Sequence, residues 1–390
     1  MKNRKKKQIF YGKQFIDNED IINVNRALKE ELITTGKNVD KFEKKISALV
    51  GSKYALSCIN GTAALHLALL SIKVKKNDII LMPIINFISA YRVANLLNAK
   101  IYLIDTDSIT GQISLESIKS TIQKFKLKKI KAIISMYLGG YPENISELYN
   151  LKKKYKCFLI EDACHAFGAK YLFRNKRYYI GSCKHSDISV FSFHPVKSIT
   201  TGEGGAITTN SKTINNKIKL LRSHGIERNK NYWKYEIDDM GFNYRLSDLN
   251  CALGIGQISK LSKFVKKRES IYLAYKKLLS ETEKHIIFPK YNLSNSPSYH
   301  LFIILIKFNK LRTNKDHFFK EMNKQGIFPQ THYIPINKFS FYKKDGISYP
   351  GSIKYFSNAI SLPIYYNLKV NELKKIAIVI LNYIKVYKKI

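Results

Sequence analysis

The sequence predicts an α/β fold with a mainly parallel central sheet covered by helices on both faces, and a smaller α+β unit at the C-terminal end. Short apolar runs of strand character alternate with helical periodicities between Tyr54 and Thr209. Turns rich in glycine or polar residues follow several of these runs, and a chain of 390 residues can bury a large core. Such alternation is typical of parallel sheets, because each helix returns the chain to the start of the next strand.

Two helices are predicted before the alternating region. In residues 17–31, Asp17 is a candidate N-cap, and Ile21, Val24 and Leu28 follow helical spacing. Residues 39–50 form the second helix. In the alternating region we predict strands at residues 54–59, 78–82, 101–104, 131–136, 157–161, 188–193 and 206–209. Helices are predicted between them at residues 62–72, 89–98, 114–125 and 145–155.

The pattern changes after Thr209. A long helical stretch is predicted over residues 247–279, with a break near Gly254 and Gly256. A strand (300–308) and two helices (316–324 and 371–387) follow it. We therefore place a domain boundary near residue 260, between an N-terminal arm with a large domain (1–260) and a small α+β domain (261–390).

The amino-acid composition limits the function classes and the cellular locations to be considered. The net charge of +38 would suit a nucleic-acid-binding protein, but the lysines are spread along the whole chain rather than clustered. We predict a solvated basic surface that attracts an anionic substrate and has no specific nucleic-acid partner. The five cysteines form no C-x-x-C pair, which favours a reducing compartment over a disulfide framework or a metal site. With no apolar run near ~20 residues and no signal-peptide pattern, we expect a cytoplasmic protein that does not bind membranes.

Lys197 is the most informative residue. It follows a strand-like run and Pro195, and it precedes a glycine-rich turn that leads back into another strand. This context fixes an amine between two strands instead of on a solvated face. A lysine held in this way can lose its proton through desolvation and form a Schiff base with an aldehyde.

Other polar or aromatic residues follow the predicted strands, where ligands of open α/β sheets bind. Asp162 could pair with a protonated ring nitrogen, and His165 could contact the same ligand. Thr62 and Ala63 open a helix whose N–H groups suit an anion. Phe87 could stack on a ring, Ser192 could contact a phosphate, and the loop with Asn243 and Arg245 also suits phosphate.

Each of these signals has an ordinary structural alternative, such as a helix cap, a satisfied histidine, a core phenylalanine or a polar strand residue. Together, however, they supply a Schiff-base lysine, a carboxylate for a pyridinium nitrogen, a ring stacker and a phosphate cup. This is the set of groups that pyridoxal phosphate requires. No metal is expected.

Three segments carry a resemblance to a known family: EDACHAFGA (161–169), SFHPVKSITTGEGG (192–205) and GFNYRLSD (241–248). In order and spacing they resemble the DegT/DnrJ/EryC1/StrS sugar aminotransferases, which are pyridoxal-phosphate enzymes of fold type I. The resemblance extends from Tyr11 to the last helix. It implies that Lys197 forms the Schiff base, that Asp162 pairs with the pyridine nitrogen, and that His165 lies by the ring and its 3-hydroxyl.

The resemblance also implies a phosphate site and a homodimer. Thr62, Ala63 and Ser192 would hold the phosphate, and Asn243 would reach the phosphate of the neighbouring subunit's cofactor, so that active sites are shared. The implied reaction is a ping-pong transamination from L-glutamate, in which the freed Lys197 amine moves the proton.

Finer motifs resemble the branch of this family that acts in pseudaminic acid biosynthesis. They lie at residues 193–201, 222–226 (RSHGI), 330–335 (QTHYIP) and 339–344 (FSFYKK). The branch aminates C4 of UDP-2-acetamido-2,6-dideoxy-β-L-arabino-hexos-4-ulose, a UDP-linked 4-keto-6-deoxy-N-acetylhexosamine. By this resemblance the nucleotide sugar would touch Tyr11, Leu32, Ile33, Thr34, His332 and Tyr333.

Three alternative functions remain open. One is an aminotransferase for another UDP- or dTDP-ketosugar, acting at C3 or C4. A second is the family's cofactor-dependent sugar dehydratase, which typically carries histidine at the position of Lys197. The third is a non-catalytic nucleic-acid-binding protein, but such a function does not explain the ordered set of Asp162, Ser192 and Lys197.

Overall fold

A computed structural model describes residues 8–228, 233–237, 239–292, 294–342 and 346–389. The last two residues of the FSFYKK motif, Lys343 and Lys344, lie outside these ranges. Within them, no helix is long and apolar enough to cross a membrane.

The strands in these residues are numbered in chain order. They are β1 (Ile9–Phe10), β2 (Tyr54–Cys58), β3 (Ile79–Pro83), β4 (Lys100–Ile104), β5 (Ala132–Met136), β6 (Phe158–Asp162), β7 (Lys170–Phe173), β8 (Lys176–Tyr179), β9 (Ile188–Ser192), β10 (Gly205–Thr209), β11 (Ile226–Arg228), β12 (Tyr235–Ile237), β13 (Ile286–Ile287), β14 (Phe302–Ile306), β15 (Ile327–Phe328) and β16 (Ala359–Leu362).

The α-helices are numbered in the same way. They are α1 (Asn18–Ala27), α2 (Lys37–Val50), α3 (Gly61–Ser71), α4 (Ser89–Leu96), α5 (Leu115–Lys124), α6 (Ile145–Tyr155), α7 (Lys212–Leu221), α8 (Asp248–Ser259), α9 (Leu261–Leu278), α10 (Lys315–Lys324), α11 (Pro350–Asn358) and α12 (Val370–Tyr387).

The central sheet has the order β2-β10-β9-β6-β5-β3-β4. Strand β10 runs antiparallel to both of its neighbours, β2 and β9, and the remaining neighbours in the sheet are parallel. The prediction of a mainly parallel sheet is confirmed. Because β9 and β10 are antiparallel neighbours, the chain between them (193–204) turns back at one end of the two strands, and this connection contains Lys197.

Alternating side chains explain why helices cover both faces of the sheet. In β3, Ile80 and Met82 join an apolar cluster with residues of α3 and α4. Leu81, between them, joins a different cluster that contains Ile118 and Ile122 of α5. A strand buried on both faces reads as a continuous apolar run, which is why the strands were visible in the sequence.

Local signals fix where the helices begin. Asp17 caps α1 as predicted, because its Oδ1 accepts the N–H of Asp20 at 3.2 Å. The helix ends at Ala27, so the predicted extension to residue 31 is wrong. In α3, the Oδ1 of Asn60 accepts the N–H of Ala63 at 2.8 Å.

The predicted break in the helical stretch over residues 247–279 exists, but it lies at Lys260 and not at Gly254 and Gly256. Both glycines lie inside α8, and the chain turns into α9 at Lys260. A Cβ at Gly254 would lie 2.6 Å from Cε2 of Phe42, and one at Gly256 would lie 2.6 Å from Oδ1 of Asp20. These glycines therefore serve close packing of α8 against α2 and α1.

A third apolar cluster lies toward the C-terminal end of the chain. It joins the three-stranded sheet β13-β14-β16 with side chains of α9, α10 and α12. Ile9 belongs to this cluster as well, because β1 pairs in parallel with β15. The boundary near residue 260 stays a prediction.

Candidate active site

A cavity of about 540 Å³ lies beside the ends of β6 and β9. Open α/β sheets bind ligands at the carboxyl ends of their strands, and this cavity has that position. Nine residues singled out from the sequence line it: Tyr11, Thr62, Phe87, Asp162, His165, Ser192, Lys197, His332 and Tyr333.

Lys197 lies in the connection between β9 and β10. Hydrogen bonds within the connection shape it: Phe193 N–H donates to Gly204 O at 2.8 Å, Thr201 N–H to Phe193 O at 3.0 Å, and Lys197 N–H to His194 O at 2.9 Å. Desolvation lowers the pKa of the Lys197 amine, and the nearby Cys164 and Asp162 act in the opposite direction. The amine is thus held at a fixed place, and its neutral form costs less than in water.

Asp162 ends β6 and is buried, with 2% of its surface exposed. Its Oδ1 accepts the N–H of Cys164 at 3.3 Å. Desolvation raises the pKa of this carboxyl group, opposed by its hydrogen bonds and by the charge of Lys197. A carboxylate has about four acceptor positions, so Asp162 can accept a further hydrogen bond from a cationic ligand.

The hydrogen bonds of His165 define its tautomer. The N–H of Gly139 donates to Nδ1 at 3.3 Å, and Nε2 lies 2.8 Å from the hydroxyl of Tyr333. Burial holds the pKa of His165 well below its usual range, so the ring is neutral. With Nδ1 accepting, Nε2 carries the proton and donates to Tyr333. The phenol proton of Tyr333 is then free to donate into the cavity.

His300, which the sequence did not single out, packs on His165. The rings of His300 and His165 lie 4.3 Å apart. His300 is in an unremarkable sequence context, at the start of an apolar run, and only the approach of the C-terminal sheet brings it to the site. Cys164, Asn86, Glu203, Gln330 and Phe339 also line the cavity without having been assigned a role.

The start of α3 forms a cradle for an anion. Thr62 Oγ1 lies 2.7 Å from Ser89 Oγ, and Ser192 lines the same part of the cavity. A Cβ at Gly61 would lie 3.1 Å from both Cys164 Sγ and Ser192 Cβ, so only glycine leaves this space open. Helix N-termini present unpaired N–H groups and a favourable dipole to anions.

Ala63 takes no direct part in lining this cavity. Its N–H is already used by the side chain of Asn60, so it has a capping role within α3. The predicted contact between Ala63 and a phosphate stays a prediction.

Phe87 and Tyr11 lie at the rim. Phe87 is 53% exposed, and its ring lies 5.8 Å from that of Tyr333. Tyr11 arrives on the N-terminal arm: its carbonyl accepts the N–H of Ile364 at 3.0 Å, and its ring lies 5.1 Å from that of His332. His332 itself is held by Ser361, whose Oγ lies 2.9 Å from Nδ1.

Besides Ala63, four predicted site residues do not line the cavity within this chain. Leu32, Ile33 and Thr34 are exposed on the segment after α1, where Ile33 O accepts the N–H of Asp248 at 3.1 Å. Asn243 is exposed beside the short bridge that it forms with Ser223. Their shared feature is a solvent-facing position, available to a second molecule.

The groups present fit pyridoxal phosphate. The cavity offers an amine, a buried carboxylate with free acceptor positions, a neutral imidazole and a cradle that a side chain at Gly61 would fill. Within the part of the chain that the structure describes, no group of three or more His, Cys, Asp or Glu is arranged to hold a metal ion.

Comparisons with known proteins give a consistent result. Residues 14–380 match the DegT/DnrJ/EryC1/StrS aminotransferase family. A Campylobacter jejuni (strain 81-176) UDP-4-amino-4,6-dideoxy-N-acetyl-beta-L-altrosamine transaminase is 38% identical over 370 residues, 94% of this chain and 95% of the relative.

Solved structures share the fold. The Helicobacter pylori aminotransferase PseC, involved in the biosynthesis of pseudoaminic acid, superposes with a TM-score of 0.89 at 28% identity, covering 97% of this chain and all of the relative. The PLP form of the putative sugar aminotransferase Spr1654 from Streptococcus pneumoniae gives 0.87 at 22% identity, covering 97% and 99%. The predicted fold type is thereby confirmed.

Proposed function

Since the chain belongs to the DegT/DnrJ/EryC1/StrS aminotransferase family, we propose that it uses pyridoxal phosphate to transfer an amino group from L-glutamate to a nucleotide-linked ketosugar. The observation that carries the proposal is the pairing of Lys197 with Asp162 in one cavity beside an anion cradle. The dehydratase alternative lacks support, because the residue at position 197 is lysine.

Each residue has a definite task in this proposal. When bound, pyridoxal phosphate supplies an aldehyde carbon for amine exchange and an electron-withdrawing ring. The Nζ of Lys197 attaches the cofactor and, once freed, takes and returns the substrate proton. Asp162 keeps the ring nitrogen protonated, and Thr62, Ser192 and the N-terminus of α3 hold the phosphate.

His165 and Tyr333 orient the reacting groups. Because Gly139 fixes the tautomer of His165, the Nε2–H is available to Tyr333 or to the ring 3-oxygen. Phe87 lies over the entrance, where its ring can stack on a planar ligand.

We further propose that the sugar substrate is UDP-2-acetamido-2,6-dideoxy-β-L-arabino-hexos-4-ulose, aminated at C4 in pseudaminic acid biosynthesis. The support is the activity named for the Campylobacter jejuni relative and the presence of Tyr11, His332 and Tyr333 at the cavity. The excess of positive charge on the chain would favour approach of the diphosphate.

A homodimer with shared active sites completes the proposal. Asn243, Leu32, Ile33 and Thr34 are exposed and lie outside their own chain's cavity, as expected for residues that contribute to a neighbour's site. We also propose a cytoplasmic location, supported by five free cysteines.

Borohydride trapping tests the cofactor assignment. Protein purified with pyridoxal phosphate should be yellow, and reduction should fix the cofactor to the peptide that contains Lys197. Lys315→Arg is a matched control, because burial lowers the pKa of the Lys315 amine to about 8 at a site away from the cavity. A colourless protein, or label on Lys315 instead, would contradict the proposal.

A further inference from the structure

Arg268 is a buried arginine with an unusual set of partners. It lies on α9 and is 3% exposed. Its Nη1 donates to the carbonyls of His300 at 3.1 Å and Ile364 at 2.8 Å. Its Nη2 lies 3.4 Å from the carbonyls of Val196 and Lys197. The guanidinium thus joins the Lys197 connection to two segments of the C-terminal sheet.

No carboxylate offsets this charge in the described ranges of the chain. Arg268 takes part in none of the ion pairs formed there, and desolvation alone lowers the pKa of its guanidinium to about 10. A buried cation without a counter-ion costs stability. By contrast, the partly buried Lys260, which directly precedes α9, pairs with both Asp17 and Asp20, at 2.7 and 2.8 Å.

We infer that Arg268 is a positioning residue for Lys197: its two-pronged guanidinium fixes the connection that carries the lysine, and its buried charge disfavours a second positive charge on the lysine nitrogen. A planar fork can bond several carbonyls at once, which a lysine ammonium on a flexible stem does less well. The contacts with Val196 and Lys197 provide the fixation, and the buried charge provides the electrostatic effect.

The sign of the electrostatic effect follows from Coulomb's law. A cation near an amine disfavours the ammonium form, and in a buried site the effect is larger than in water. Desolvation is the largest cause that lowers the pKa of Lys197, and the charge of Arg268 acts in the same direction, against the opposite effects of Cys164 and Asp162. Both a nucleophile and a proton acceptor must be a neutral amine, so this direction favours the chemistry.

The other titratable groups around Lys197 do not replace this effect. Burial holds the pKa values of three imidazoles low, so they are neutral near pH 7: His165, His300 and His332. Burial raises the pKa of the Tyr11 and Tyr333 phenols, which keeps them uncharged. Glu203 also lines the cavity but is exposed. Lys13, on the N-terminal arm, lines a small pocket together with Lys197 and Arg268, but it is exposed as well. Among these groups, Arg268 is therefore the buried permanent cation.

The inference rests on the proposed attachment of pyridoxal phosphate to Lys197. Its test is the pH titration of the absorbance band of the lysine-bound cofactor, which does not depend on turnover. In Arg268→Gln, loss of the charge should raise the midpoint by about 1 pH unit, as for one charge several ångströms away in a protein interior. Lys260→Gln, which removes a paired, partly buried cation next to α9, should leave the midpoint unchanged.

Arg268→Lys keeps the charge but removes the planar guanidinium, so it tests the positioning role separately, even if Arg268→Gln does not fold. Its midpoint should stay within about 0.3 pH units of the wild type. The cofactor should dissociate several-fold faster, as followed by its fluorescence, because the connection loses its shared donor.

The outcomes distinguish a failure of the role inferred for Arg268 from a failure of the proposed function. A folded Arg268→Gln protein with the wild-type midpoint would overturn the electrostatic part, and an Arg268→Lys protein with the wild-type dissociation rate would overturn the positioning part. Absence of any lysine-bound band in the wild-type protein would contradict the proposed function itself.

Discussion

Replacing Asp162 with asparagine removes the carboxylate that we propose keeps the ring nitrogen protonated, with little change in side-chain size. Asp162 is 2% exposed, so its carboxylate interacts with a partner in a poorly solvated environment. A hydrogen bond that involves a charged group contributes about 1.5–3 kcal/mol, and burial places this one toward the upper limit. Because about 1.4 kcal/mol corresponds to a factor of ten in rate, the glutamate half-reaction should slow by about 100-fold.

The assay is single-turnover absorbance after mixing the cofactor-loaded protein with glutamate. Glu161→Gln is a matched control, because Glu161 is the preceding residue and equally buried, but it points to the other face and accepts from Tyr137 at 2.9 Å and from Ser189. Its rate should stay within a few-fold of the wild type.

A second readout follows the absorbance band of the lysine-bound cofactor. Without the carboxylate of Asp162 the ring nitrogen should lose its proton, and a neutral ring withdraws fewer electrons from the Schiff-base nitrogen, so Asp162→Asn should move the midpoint of this band to higher pH. An Asp162→Asn protein with the wild-type rate and midpoint would refute the role of this carboxylate.

Three further predictions concern stability and assembly. Gly254→Ala places a Cβ 2.6 Å from the Phe42 ring. Overpacking costs about 1–3 kcal/mol and should outweigh a gain of about 1 kcal/mol in helix propensity, so the Tm should fall by a few degrees. An unchanged or higher Tm would contradict this prediction. Burial lowers the pKa of His185 to about 4, so the unfolded chain takes up the proton first as pH falls below about 6.5, and stability is lost between pH 6.5 and 4. When the pH is lowered from 7 to 4.5, the free energy of unfolding measured with urea should therefore fall by about 1–2 kcal/mol less in His185→Gln than in the wild type. Equal losses in the two proteins would contradict this role of His185. Mixing inactive Lys197→Ala with inactive Asn243→Ala should restore about a quarter of wild-type activity through mixed dimers with one intact site, and no recovery after subunit exchange would contradict shared sites.

The sheet and the residues at its strand ends were predictable because their signals are local. Strands buried on both faces read as apolar runs, Asp162 and Ser192 lie at the ends of such runs, and Lys197 follows in the connection after the second. Long-range contacts carry no comparable signal. Pairing of β1 with β15 brings Tyr11 to the cavity, and the C-terminal sheet brings His300 against His165.

Glycine in a helix gave the wrong prediction for a physical reason. A helix interior with two glycines resembles a break, since glycine weakens helices by about 1 kcal/mol relative to alanine. Here packing decides: Gly254 and Gly256 let α8 approach Phe42 and Asp20 too closely for any side chain. The sequence of α8 alone does not show which helices will cross it.

The transfer of labelled nitrogen tests the central claim most directly. Cofactor-loaded protein is incubated with L-glutamate carrying a heavy nitrogen isotope and with a panel of UDP- and dTDP-linked ketosugars, and the products are identified by mass spectrometry. The account predicts the label in the 4-amino product of UDP-2-acetamido-2,6-dideoxy-β-L-arabino-hexos-4-ulose, and no product with Lys197→Ala. Labelled product from a dTDP-sugar alone would contradict the proposed substrate, and no labelled amino sugar from any ketosugar would contradict the proposed reaction.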